Sequence, residues 1–322
     1  MMSMKTDLSP TTTLFRNRLP RWLRLRRMRP RTADIVDYRD RISIATWPLV
    51  LGIGLSLFFT LPTIEFSFMA FGSPVAIPLS STFVAALFLS VLAASGAESV
   101  VTVHPRFSTA AQRSGGRTWP FWALPMALTN IIAVLLPRAP TPLIQVLALL
   151  IVSALLIGAF FSLYVTIEPG QPGFRRARLA LNVLTYGSAL VLFLFVYQAR
   201  TRSLVSGSLV ALTASLLAIE LLRTSTERTG TVINYGLVVG LILGQVTWAI
   251  NYWPLPDLTG GLLLLLVFYI IVGIAQHGLQ GRLTRRVLIE FATFAALALL
   301  LIAILGPGFS IQSALPESFV PQ

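Results

Sequence analysis

Apolar residues in this chain neither alternate with polar ones nor recur on a single helical face. They continue for about 20 residues at a time until Pro, Gly or charge interrupts them. The runs are 43–62, 79–103, 119–136, 143–166, 179–199, 203–222, 231–251, 258–277 and 287–305. At about 1.5 Å per residue, a helix of roughly 20 residues matches a hydrocarbon layer of roughly 30 Å. In lipid every backbone N–H and C=O must be paired within the protein, so only helices and closed barrels cross. Continuous runs without two-residue alternation select helices. The pattern therefore predicts an all-α fold, a polytopic transmembrane helical bundle of nine spans.

The same text divides the chain into a basic tail at 1–42, a helical membrane domain at 43–305 and a short tail at 306–322. Between the first two spans, segment 63–78 is apolar with two prolines and is expected to lie in the interface or to tuck back against the bundle. The connection from Pro137 to Pro142 is short and stiff, so spans three and four should be antiparallel neighbours, with Pro142 in a first helical turn.

Composition agrees: 55% of the residues are hydrophobic and 11% charged. Charge adds direction, because short cytoplasmic loops retain Lys and Arg. With the amino terminus inside, all but Arg138, Arg200 and Arg202 of the 25 Lys and Arg fall on the cytoplasmic side, and the carboxyl terminus lies outside. Dropping or merging one span would invert every later loop. The expected location is the bacterial cytoplasmic (inner) membrane, with the first span kept as an anchor because no cleavage site follows it. The net charge of +13 is mostly this topological signal, and no nucleic-acid partner is expected. Membrane lipids are the expected partners, with residues 14–31 lying on anionic headgroups at about 1 kcal/mol per basic residue. The absence of Cys excludes disulfides, thiolate catalysis and cysteine-ligated metals.

Span seven carries Gly236, Gly240 and Gly244, a G-x-x-x-G-x-x-x-G series that opens one face to close helix approach, within the protein or with a second copy or membrane partner. Asn234, Gln245 and Tyr252 share a different face of that span, beside Trp248. In span five Asn182, Tyr186, Phe193 and Tyr197 form a partly polar stripe. These stripes serve either as interhelical contacts or, if they face each other, as the lining of a hydrated pocket.

The candidate ionisable groups Glu98, His104, Glu220, His277 and Glu290 fall in the cytoplasmic half, whereas Glu65 is expected in the outside loop. Glu220 has Arg223 three residues on and Glu290 has Arg286 four residues back, so both can be satisfied locally. Glu98 has no Arg within one turn and must be protonated, hydrated or paired with another helix; it is either a proton-linked group or a structural hydrogen bond. His104 and His277 end spans two and eight on the same side with Gln276 nearby. Paired imidazoles could hold an iron, but neither histidine sits in a recognisable ligand set, and no cofactor or metal is expected. No H-E-x-x-H, G-x-S-x-G, phosphate-binding glycine loop or paired acidic motif occurs, which argues against an enzyme.

The text from Asn251-Tyr252-Trp253-Pro254-Leu255 through Gln276, Gly278 and Gly281 to Arg285, Arg286 and Glu290 resembles an uncharacterised bacterial family of multi-pass integral membrane proteins. That resemblance implies a membrane protein of unknown function and assigns no catalytic residue. The combined expectation is a non-enzymatic structural or accessory membrane component. The alternative is a carrier for a small or lipid-like solute, proton-linked through Glu98.

Overall fold

The computed structural model describes residues 32–59, 64–70, 73–79, 81–107, 118–199, 203–226, 228–252 and 257–305. The basic stretch 14–31 and the tail 306–322 lie outside these residues. Among the described residues the chain forms helices α1 (Thr32–Leu55), α2 (Ser81–Val101), α3 (Ala123–Leu135), α4 (Pro142–Val165), α5 (Phe174–Ala199), α6 (Ser203–Leu222), α7 (Thr229–Ile250), α8 (Asp257–Leu279) and α9 (Arg285–Leu305). Short 3-10 turns flank α3 at Trp119–Trp122 and Leu136–Arg138. Six segments have the length and hydropathy to cross a membrane: Ser81–Val101, Trp119–Arg138, Pro142–Val165, Phe174–Gln198, Thr229–Ile250 and Leu258–Leu279. Helix α6 adds the shorter apolar stretch Gly207–Leu222.

Helix boundaries follow local chemistry. Thr141 caps α4 by accepting from the Ile144 N–H at 3.3 Å, and Pro142 takes the first helical position, where a missing N–H has no consequence. Helix α1 starts at Thr32, inside the segment expected to be tail, because its polar opening turns still propagate a helix outward from the apolar run. The expected interface segment 63–78 takes the form of an antiparallel hairpin, β1 (Ile64–Ala70) with β2 (Ser73–Leu79), pairing Ile64 with Leu79 and Ala70 with Ser73. Branched and aromatic residues favour strands there, and Pro74 and Pro78 are tolerated because both strands are edges.

Small residues decide which helices touch. A Cβ on Gly244 would stand 2.9 Å from the Ala211 Cβ and from the Gly207 carbonyl oxygen, one on Gly236 would stand 3.2 Å from the Ser215 carbonyl, and one on Gly240 would overlap Ser215 and the Ala211 carbonyl. Helices α6 and α7 thus meet backbone to backbone, which suits lipid, where dispersion and close packing replace the hydrophobic effect between helices. Gly52 and Gly96 admit Leu89 and Ala45 between α1 and α2, and Gly260 and Gly261 seat Tyr197 and Leu194 between α8 and α5. The interior is filled by Phe160, Phe193 and Phe268, all fully buried.

Contacts across helix termini show that four loops share one end of the bundle. Arg106 bonds the Ile167 carbonyl, His104 meets Gln171, Arg223 meets Thr166 and Gln276 bonds the Leu221 carbonyl. Arg138 sits over the Phe195 ring at the opposite end.

Candidate functional site

The loop-sharing end is built on the last turn of α6. A helix terminus leaves its final carbonyls without N–H partners, and here two of them are taken by a neighbouring helix. Arg178 of α5 donates from Nη2 to the Leu221 carbonyl at 2.8 Å and from Nη1 to the Glu220 carbonyl at 3.3 Å. Gln276 of α8 adds a second bond to the Leu221 carbonyl at 3.2 Å. The Glu220 side chain is 0% exposed and lies between two guanidinium groups: Arg178 Nη1 at 3.1 Å and Arg223 Nε at 2.8 Å from both carboxylate oxygens. A buried carboxylate survives only when such charge-assisted bonds replace its hydration.

Arg223 is itself 4% exposed. It donates from Nη2 to Thr166 Oγ1 at 2.7 Å, and its guanidinium covers the Phe121 ring at 4.6 Å. It forms one wall of a cleft of about 480 Å³ whose other lining residues include Arg106, Phe107, Phe121, Thr166 and Thr226. Arg106 is held there by a 2.8 Å bond from Nη1 to the Ile167 carbonyl. Behind it, Gly170 and Gly173 adopt φ of 99° and 96°, a region open to glycine, and turn the chain so that Gln171 lies 3.3 Å from His104 Nε2. His104 Nδ1 accepts from the Arg106 N–H at 3.2 Å. Burial holds the imidazole below its ordinary pKa, against the pull of Glu168 upward.

From His104 an aromatic series leads to a second feature. The His104 ring meets Tyr164 edge-on, and Tyr164 stacks on Tyr38 at 4.4 Å. Beyond Tyr38 a lateral groove of about 980 Å³ runs between α1 and α4, lined by Trp47, Leu51, Leu150, Ile157 and Phe161, with Arg39 at the loop-sharing end. Gly158 and Gly54 are on its walls; a Cβ on Gly158 would have nothing within 4 Å.

With this geometry in view, the family described as Protein of unknown function (DUF5656) matches residues 61–305 of the 322. The chain belongs to this family. Neither a curated protein nor a solved structure matches it. The family has no assigned function, as the resemblance of the 251–290 text implied. Its matched segment holds the whole arginine network and α4, whereas α1, the other wall of the groove, precedes it.

Within the family segment, the residues singled out from sequence do not form one site. The two stripes do not face each other. Tyr186 turns toward α8, where it meets Phe268 and Tyr269, and the Asn182 Oδ1 is buried without a partner among the described residues. Asn234, Gln245 and Tyr252 are exposed on the outer side of α7, with Tyr252 stacked edge-on against Trp248. Packing forces this: once the glycine face seats α6, the stripe on the other side of α7 must look outward. The alternative in which the two stripes line one pocket therefore draws no support from the direction in which the α7 stripe looks. Gly236, Gly240 and Gly244 are buried against α6, so that face is not open to a partner protein.

Glu98 accepts a 2.8 Å bond from the indole N–H of Trp122, in the turn leading into α3. The expected cytoplasmic cluster divides as well. Glu220 and Gln276 share the arginine network, His104 belongs to the neighbouring turn, and His277 bonds the Gly273 carbonyl and meets Phe291. Glu290 pairs with Arg286 at 3.3 Å on the exposed side of α9. Sequence reasoning misses Arg178 as the second partner of Glu220, Thr166 as an anchor of Arg223, and Trp122 as the donor to Glu98. Only the position of Arg178 just before an apolar span points to it, since such an arginine must either emerge into water or find a carboxylate.

Proposed function

We propose that the protein is a non-enzymatic, multi-pass component of the bacterial cytoplasmic membrane that holds a lipid in the groove between α1 and α4. The groove carries this reading. Its volume of about 980 Å³ lies at the upper end of the roughly 300–1,000 Å³ common for ligand sites. From Arg39 to Leu55 it follows α1 for about 24 Å at roughly 1.5 Å per residue, most of a hydrocarbon layer. Its lining is almost wholly apolar, and Arg39 at one end suits the phosphate of a headgroup. A lateral groove open to hydrocarbon fills with acyl chain rather than water.

Nine crossings with the amino terminus in the cytosol remain our reading of the topology. It is supported by the gathering of the arginine-bearing loops at one end, with Arg138 at the other. A solute carrier finds less support, because the polar stripes of α5 and α7 point in different directions and Glu98 is bonded to Trp122.

The test is lipid retention. Gly158→Leu adds a side chain on the groove wall, at a position where the new Cβ meets no other atom within 4 Å. Purified in mild detergent and weighed by native mass spectrometry, the wild type should retain lipid, and the variant should keep its fold and retain markedly less. Equal lipid retention by both proteins would remove the groove from consideration.

A further inference from the structure

We propose that the cleft between Arg106 and Arg223 is a binding site for a phosphate-class anion, offered either by a lipid headgroup or by a free phosphate. It stands apart from the α1–α4 groove and does not depend on a lipid there.

Charge balance is the first support. Glu220 is wholly buried and faces two guanidinium groups, so the trio Arg178, Glu220 and Arg223 carries one positive charge in excess. The negative end of α6, roughly half an elementary charge, is engaged by Arg178 through the Glu220 and Leu221 carbonyls. The remaining excess is shared by the trio, and its Arg223 member, whose Nε lies 2.8 Å from both Glu220 carboxylate oxygens, stands at the cleft. Arg106 adds a second positive charge. Among the described lining residues there is no Asp or Glu, and Glu168 in the adjoining loop is exposed and accepts from Gln171.

Geometry is the second. Arg106 and Arg223 are anchored on adjacent residues, Ile167 and Thr166, so both planar forks are fixed at the same cleft before any ligand arrives. A guanidinium fork matches phosphate oxygens in pairs, and prior anchoring lowers the ordering that binding requires. The hydroxyl side chains of Thr224, Ser225, Thr226 and Thr229 also line the cleft and can donate to an oxyanion. An arginine that merely marks the cytoplasmic side sits in water. Arg223 is instead buried and stacked on Phe121.

The experiment uses the full chain in a phosphate-free maltoside detergent. Radiolabelled inorganic phosphate is measured by equilibrium dialysis, and bound phosphatidylglycerol is counted by native mass spectrometry. Wild type should bind at least one of the two saturably. Saturable uptake of inorganic phosphate identifies the free anion as a ligand, and uptake of phosphatidylglycerol alone identifies a headgroup. Arg106→Gln, at an exposed position that leaves the fold intact, should weaken whichever binding is seen at least tenfold. Arg285→Gln, on the exposed first turn of α9, should leave it unchanged. The proposal is overturned by saturable binding of neither probe, by equal affinity of Arg106→Gln and wild type, or by equal weakening in Arg285→Gln, which would signify diffuse charge.

Discussion

Two pairs of helices use glycine to opposite ends. At the α6–α7 seam Gly236, Gly240 and Gly244 leave no room for a single added carbon, and the backbones of Gly207 and Ala211 lie against them. Between α1 and α4, Gly54 and Gly158 face a groove; an added Cβ would meet nothing within 4 Å at Gly158 and only the Leu149 side chain, at 3.6 Å, at Gly54. The difference lies in the partner. Helix α6 presents Gly207, Ala211 and Ser215 opposite the glycines, with Ile219 over Gly236, whereas α1 lines the groove with Trp47, Leu51 and Leu55, each more than half exposed. In a bilayer, where lipid tails are as apolar as leucine, small residues on both facing helices let the backbones approach most closely.

The strongest challenge to a tightly built α6 is Glu220→Gln. It leaves Arg178 and Arg223 buried without a counter-charge, and breaking such a pair costs about 3–5 kcal/mol. Thermal unfolding in detergent should show the protein either unfolded at room temperature or melting far below wild type. A wild-type melting point would mean that water reaches these arginines. Next comes the same replacement made at both glycine types. Gly240→Leu should cost at least the roughly 1–3 kcal/mol typical of overpacking. Gly158→Leu in delipidated protein should be neutral or gain up to about 1 kcal/mol, since glycine weakens a helix interior by roughly that amount. Matching melting points for the two variants would erase the distinction between seam and groove.

The smallest effect concerns His104, whose ring links the groove's aromatic end to the cleft. Its folded pKa lies below the unfolded value of 6.5 because burial disfavours the imidazolium. Below pH 6.5 the unfolded chain binds a proton that the folded chain resists, so this contribution is fully present above pH 6.5 and is lost as pH falls. Melting points recorded from about pH 7.5 to about pH 5 should decline for wild type and decline less for His104→Gln. Parallel curves would assign the acid sensitivity to other groups.

Much of the fold is legible in the residue order alone. Each apolar run corresponds to a helix, and Thr141 and Pro142 mark the start of α4 as their chemistry requires. The candidate site is legible only in pieces. Glu220 and Arg223 are one turn apart and can be paired from spacing, but Arg178 lies more than forty residues away and reaches Glu220 only because α5 packs beside the end of α6. Asn234 and Gln245 share a face by periodicity, yet periodicity does not state which way that face looks.

What the sequence determined by itself was therefore the set of helices and the arginine bias of alternate loops, since apolar length and charge are properties of each segment alone. The tertiary structure decided how faces are matched: the glycines of α7 against α6, Trp122 against Glu98, Arg178 against Glu220, and a groove left open beside α1. These depend on shape complementarity between segments distant in the chain, a property that no single segment contains.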